Sequence, residues 1–358
     1  MLRKLLTPDI SIDVPMSDRF LDEEESLIKL THEQSMLLRR FGRDRRMVIT
    51  GCAGSGKTML GVEQAKWLAR EKKLDVLFVC FNKALAQHLG AREGGSGVDF
   101  INFHGLCVKL AHEAKLKIDW PDPEDEDQSE FWDDQMPNLL AEAAEALGPR
   151  YDAVFIDEAQ DFHNHWLTAL ELLLRDVERS YVWLLMDDSQ NVYERTLEVP
   201  EEFRPFDLTV NCRNTQSIHR EVMKLYKGEV VPEVRGPEGR EMELHQTDDQ
   251  AAKVAEVLQR LCGDWGIPPQ DVVVLSSHGF KKSAVAGSGQ GSYKLVEKRH
   301  QDGKRIHLSS VRGFKGLEAK AVVLCELEDM EHESRDSQLY VGISRAVNHC
   351  VVVAPAGT

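Results

Sequence analysis

The sequence predicts an α/β fold made of two parallel-sheet units in series. Short runs that are apolar throughout alternate with segments of helical period, and the alternation breaks once, at "LEVPEEFRPF" (197–206), before it resumes. A strand apolar on both faces belongs to a sheet covered by helices on each side, and such sheets are parallel. The prolines and charges of the interruption mark the boundary between the units.

The elements follow in order. Residues 1–28, rich in Asp and Glu with Pro8 and Pro15, show no periodicity and are assigned to an N-terminal arm. The first unit, 29–200, holds strands at 46–50, 75–80, 151–156 and 181–186, with helices near 57–71, 83–90, 103–115, 131–147 and 164–178. The second, 201–358, holds strands near 207–210, 271–275, 306–309, 320–325 and 349–354, with helices near 214–226, 249–263 and 336–346. "DWPDPEDEDQSE" (119–130) and "AVAGSGQGSYK" (284–294) have the composition of loops.

Composition narrows the class of function. Lys and Arg number 44 against 60 Asp and Glu, a formal net charge of −16, so any nucleic-acid site has to be a local basic groove on an acidic body. The seven cysteines form no Cys-x-x-Cys pair and are expected as buried, reduced thiols of a cytoplasmic protein, not as disulfides or a zinc site. The opening "MLRKLL" lacks the apolar core of a secretion signal. No apolar run reaches the length of about 18 residues that a membrane span needs.

Chemistry enters at "GCAGSGKT" (51–58), which fits G-x-x-x-x-G-K-[ST] between an expected strand and an expected helix. With Gly51, Gly54, Ser55 and Gly56 in this turn, backbone N–H groups can surround phosphate oxygens. Lys57 can then reach the β and γ phosphates, and the Thr58 hydroxyl can hold Mg²⁺. The stretch "VFIDEAQDF" (154–162) ends a second apolar strand on two adjacent carboxylates, which demand positive charge nearby. Asp157 is the expected second Mg²⁺ ligand, and Glu158 is placed to orient or deprotonate an attacking water. ATP and Mg²⁺ are the cofactors these residues imply.

With these segments in view, the sequence resembles superfamily 1 helicases of the UvrD/Rep type through most of its length. "LTHEQ" (30–34) is similar to their Q-motif, which implies Gln34 at the adenine edge. "CFNKALAQHL" (80–89) and "NFHGL" (102–106) resemble the segments that line the single-strand track, implying contacts from Asn82, Lys83, Phe103 and His104. "DDSQNVY" (187–193) is similar to the coupling motif, with Gln190 as γ-phosphate sensor and Tyr193 near nucleic acid. In the second unit, "LTVNCRNT" (208–215) resembles the motif whose arginine, Arg213, reaches the γ-phosphate. "SSVRGFKGLE" (309–318) resembles the motif that touches both nucleic acid and nucleotide, through Arg312 and Glu318, the latter near the ribose. "LYVGISRA" (339–346) resembles the last motif, with Arg345 as arginine finger. The fold so implied is two RecA-like P-loop NTPase domains with ATP in the cleft between them. The short form, with "CFN", "FKGLE" and an N-terminal "LLTPDI", most resembles the helicase part of proteins that carry a nuclease-related (NERD) domain upstream, which makes a nuclease domain or subunit an expected partner.

Several positions depart from the family pattern. Cys212 stands where an aromatic usually stacks on adenine, Arg312 replaces a histidine, and "ERTLEV" follows Tyr193 in place of Trp-Arg-Gly. The spans 105–150 and 215–305 leave little room for the inserted subdomains that grip duplex in larger relatives. The expectation is therefore a bare two-domain motor, a nucleic-acid-dependent ATPase that translocates on single-stranded DNA, 3′–5′, by ATP-driven closure. The alternative is an ATP-gated interaction or regulatory module that recruits or controls a nuclease without unwinding.

Overall fold

The computed structural model describes residues 16, 18–23, 25–27, 44–122, 127–187, 197–228, 231–287, 291–298, 303–328 and 332–356. Two six-stranded sheets organise the chain. The first is built from β1 (Arg46–Gly51), β2 (Val76–Cys80), β3 (Val98–Asn102), β4 (Ala153–Asp157), β5 (Tyr181–Met186) and β6 (Arg204–Leu208), in the order β3-β2-β4-β5-β1-β6. All of its pairings are parallel.

The apolar runs explain the sandwich. Every residue of β2 and β4 is buried. One face of the sheet packs on helices α1 (Lys57–Glu71) and α2 (Lys83–Arg92), in a core that includes Ile49, Leu60, Phe78, Leu85, Phe155 and Leu185. The other face packs on α3 (Phe103–Glu113), α4 (Met136–Leu147) and α5 (Asn164–Glu171), around Leu106, Leu140, Ile156, Trp166 and Leu184.

A two-stranded ribbon, β7 (Val210–Asn211) with β8 (Glu233–Val234), and helix α6 (Gln216–Met223) lead into the second sheet. That sheet comprises β9 (Glu243–Gln246), β10 (Val272–Ser276), β11 (Lys294–Val296), β12 (Arg305–Ser310), β13 (Ala319–Cys325) and β14 (Ala346–Ala354), in the order β11-β12-β10-β13-β14-β9. It too is parallel throughout. Helix α7 (Gln250–Leu258) and the N-terminal helical residue Phe20 cover one face. Helices α6 and α8 (His332–Ser344) cover the other.

The structure corrects the expected boundary. The strand read at 207–210 as the start of the second unit falls on the end of β6, which pairs with β1 at the edge of the first sheet, and on Val210 of β7. A division at 200/201 therefore cuts off a strand of the first unit. The helix expected over 164–178 ends at Glu171. Cys52, Cys80, Cys107, Cys212, Cys262, Cys325 and Cys350 are all buried free thiols, as expected. Among the described residues no helix is long and apolar enough to cross a membrane.

Candidate nucleotide site

β1 ends beside β5, with Thr50 opposite Met186, and β4 ends with Asp157 opposite Cys80 and Leu185. The glycine loop and the acidic pair thus share the carboxyl end of the first sheet, where open α/β sheets hold ligands. Gly54 has φ +83, and a Cβ there would lie 2.5 Å from Asn214 Oδ1 and 2.7 Å from Asn211 Nδ2, so both the turn and the close approach of the second unit exclude a side chain. Gly51, Ser55 and Gly56 complete the loop, and Gly56 is the N-cap of α1, so the loop sits at a helix N-terminus whose N–H groups and dipole favour an anion.

Lys57 is buried, and its ammonium donates to the carbonyls of Gly51 (2.7 Å) and Cys52 (3.0 Å) and lies 3.4 Å from Asp187 Oδ2. Asp157 is buried and its carboxyl is pushed well above the usual carboxylate range, first by burial and then by the charge of Glu158, with Thr58 and Lys57 acting in the opposite sense. Its Oδ2 has no hydrogen-bond partner among the described residues. A buried carboxylate oxygen beside the Thr58 hydroxyl is a hard oxygen pair of the kind Mg²⁺ takes together with waters and phosphate oxygens. Among the described residues no group of three or more His, Cys, Asp or Glu could hold a metal ion.

Glu158 follows with φ +53, a left-handed turn that is uncommon for a residue with a side chain. Burial opposes its ionisation, yet the charges of Lys315, Lys57 and Arg345 outweigh burial and hold its carboxyl low. Gln160 Nε2 donates to Glu158 Oε2 at 2.6 Å, while Gln160 Oε1 accepts from the Asp187 N–H at 3.0 Å. Glu158 is thus kept as an ionised acceptor, the form a general base requires.

The second unit supplies the cations. Arg345 precedes β14 and is fully buried; burial and the like charge of Arg213 lower it to about 10, while Glu158 and Asp187 attract it. It remains charged at neutral pH. Its Nε donates to the Val341 carbonyl at 3.0 Å and its Nη2 to Ser344 Oγ at 2.9 Å. Arg213 pairs with Glu318 at 2.8 Å, and its charge is felt at Cys52 in the glycine loop. Arg213, Arg345 and Glu318 therefore converge on the loop side of the first unit.

Four residues that sequence reasoning did not single out complete the junction. Lys315 Nζ donates to both oxygens of Asp161 at 2.8 Å and lies 3.5 Å from Glu158 Oε2. The Tyr340 hydroxyl accepts from the Ala53 N–H at 2.8 Å and lies 3.4 Å from Asp187 Oδ2. These partners of Lys315 and Tyr340 lie more than 150 residues away in sequence, so no local pattern could have shown them. Their only sequence signal was membership of "FKGLE", "IDEAQDF", "DDSQ" and "LYVGIS".

The nucleic-acid candidates separate by burial. Phe103 is a correction: it is fully buried, stacks on Trp166 at 4.3 Å between centroids, and belongs to the core beneath α3 and α5, so it offers no face to a base. His104 is half-buried, with Nε2 2.9 Å from the Trp132 carbonyl. Asn82 caps α2, accepting from the N–H groups of Ala84 (2.7 Å) and Leu85 (3.3 Å), and donates across to the Gly313 carbonyl at 3.0 Å. Lys83 and Arg312 are exposed at this crossing point. Gln34, Gln190 and Tyr193 lie outside the described residues.

A glycine loop at the head of α1, an acidic pair at the end of β4 and two cations from a second parallel-sheet unit have the arrangement of a P-loop nucleotide site. Comparisons with known proteins agree. Residues 34–196 match the family model of an AAA domain, and residues 305–353 match that of a UvrD-like helicase C-terminal domain. The second of these matches is to UvrD-like helicases, the type that the sequence motifs resemble, and both matches fall on the segments that build the site. Among curated proteins none matches the chain. The solved structure of the PRRSV helicase is similar over 90% of this chain and 55% of its own, at 12% identity and a TM-score of 0.42. The chain thus spans about half the length of that helicase.

Proposed function

We propose that this protein is a nucleic-acid-stimulated ATPase that moves along single-stranded DNA, 3′–5′, by opening and closing the junction between its two sheets. The observation that carries this reading is the convergence of Glu158, Lys57 and Arg345, three charges from three separate elements, each of which perturbs another. We place the working division between two RecA-like units after Leu208, with nucleotide between them.

In this mechanism the loop N–H groups of residues 51–58 and Lys57 hold the phosphates, with Gln34 at the base and Glu318 at the ribose. Thr58 and Asp157 would hold Mg²⁺, which when bound neutralises charge on the β and γ oxygens. Glu158 orients the attacking water and accepts its proton. Gln190 and Arg213 sense the γ-phosphate, and Arg345 stabilises the charge that develops on the transferring group. In-line phosphoryl transfer depends mainly on positioning and charge, and an arginine finger is worth on the order of 10³–10⁵ in rate. Hydrolysis is therefore tied to closure. Asn82, Lys83, His104, Tyr193 and Arg312 are the proposed contacts to the strand.

Steady-state ATP turnover across single-stranded and duplex DNA and RNA tests the proposal. Turnover raised severalfold by single-stranded DNA is expected. A second reading, an ATP-gated module that recruits or controls a nuclease, is favoured by the burial of Phe103 and the net charge of −16. Turnover indifferent to every nucleic acid would select it.

A further inference from the structure

Asn211 and Asn214 are fully buried polar residues at the start of the second unit, between the glycine loop and the turn that carries Arg345. Their amide orientations are fixed by their neighbours. Asn211 Oδ1 must accept, because it faces the N–H groups of Arg213 and Asn214, each at 3.0 Å. Its Nδ2 therefore points to the Ala53 carbonyl at 2.9 Å and to Asn214 Oδ1 at 2.9 Å, with His219 Nδ1 at 3.1 Å beside them. Asn214 Nδ2 must donate, because it faces two carbonyls, Ser344 at 3.1 Å and Ala346 at 2.6 Å. Those carbonyls flank Arg345 on either side.

We propose that Asn214, acting through Asn211, is the positioning residue that holds the Arg345 turn in register with the phosphate loop. The chain of bonds runs from both sides of Arg345, through two side chains, to the peptide between Ala53 and Gly54. The Cys212 N–H closes the same contact by donating to the Gly54 carbonyl at 2.9 Å. A buried, fully connected polar network of this kind fixes one arrangement, because each broken bond strands a desolvated group. The inference rests on the proposed hydrolytic role of Arg345 and adds to it the part that aims the guanidinium.

The test combines kinetics with hydrogen exchange on the full chain. Asn214→Ala should lower kcat for DNA-stimulated ATP hydrolysis roughly 10- to 100-fold, the scale of a displacement of about 1 Å in a catalytic group, with KM for ATP within about twofold. In an Arg345→Ala background the same change should cost nothing further, since no finger remains to be aimed. Asn214→Ser, which keeps one donor, should recover part of the loss, and it serves as the probe if the alanine variant does not fold. Independent, multiplicative losses in the double variant would overturn the proposal. Amide exchange decides it without turnover: removing Asn214 should raise exchange at residues 344–346 and 52–54 together, with β4 and β13 unchanged. A rise at 344–346 alone would overturn the bridge. A parent protein that does not turn over ATP refutes the hydrolytic reading, while the exchange result still decides the link.

Discussion

Lys315 shows how a single residue carries several constraints at this junction. Its side chain is buried, and it is flanked by Asp161 and Glu158, whose charges raise its own affinity for the proton against the effect of burial. Removing one member of such a group leaves the others charged and desolvated, which costs about 3–5 kcal/mol. Lys315→Met, close in volume and unable to pair, should therefore lower stability by about that amount, read as a drop in the urea midpoint at unchanged m. A loss under about 1 kcal/mol would show that water replaces the ammonium and that the pair is not sealed. The same residue explains the question posed by two adjacent carboxylates after β4: the compensating charge comes from Lys57 in the first unit and from Lys315 and Arg345 in the second. The sequence demanded a cation there. The family resemblance pointed to Arg345 but not to Lys315, which stands more than 150 positions downstream.

At the scale of elements, what was legible and what was not divides along the edges of the sheets. The interior strands β1, β2, β4, β5, β10, β13 and β14 stood out as apolar runs, because both their faces are largely covered, and β12 was found by its alternation of Ile306 and Leu308 with polar residues. Within the two six-stranded sheets, the four strands missed or misassigned are β3, β6, β9 and β11, and each is an edge. "VDFIN", "RPFDL", "ELHQ" and "KLV" carry charged or polar residues that an edge tolerates and that a pattern of continuous apolarity overlooks. Gly316 was legible only as part of a motif; its φ of +82 and the 2.5 Å that would separate a Cβ from Leu85 Cδ2 show a turn pressed onto α2. Phe103 was misjudged for a related reason. An aromatic at the first position of a helix after a strand end looks accessible in sequence, yet α3 turns it inward onto Trp166 and Phe162, with ring centroids at 4.3 and 5.6 Å. Phe103→Ala should thus cost about 3–5 kcal/mol in stability, the usual range for a large aromatic removed from a core. Binding to single-stranded DNA, measured on the fraction that stays folded, should be unchanged. A selective loss of binding at full stability would return Phe103 to the strand path.

For the whole molecule, the proposed function requires a strand to be held by a body whose formal charge is −16, and without the stacking platform that Phe103 would have supplied. Affinity must then come chiefly from phosphate contacts at a local basic site, and the exposed Lys83 and Arg312 stand where Asn82 and Gly313 join the two units. Contacts of this type release counterions, so the logarithm of affinity falls with the logarithm of salt by about 0.7 for each phosphate engaged on a single strand. Replacing Lys83 and Arg312 by alanine, singly and together, should shallow that slope by roughly 0.7 each, with ATP-binding affinity in the absence of DNA preserved. Base stacking would behave differently, since its loss weakens binding equally at every salt concentration. A double variant with the parental slope and lower affinity would place the strand elsewhere on the surface. A double variant with a shallower slope but undiminished stimulation of ATP turnover would show that these cations hold the strand without reporting its presence to the nucleotide site.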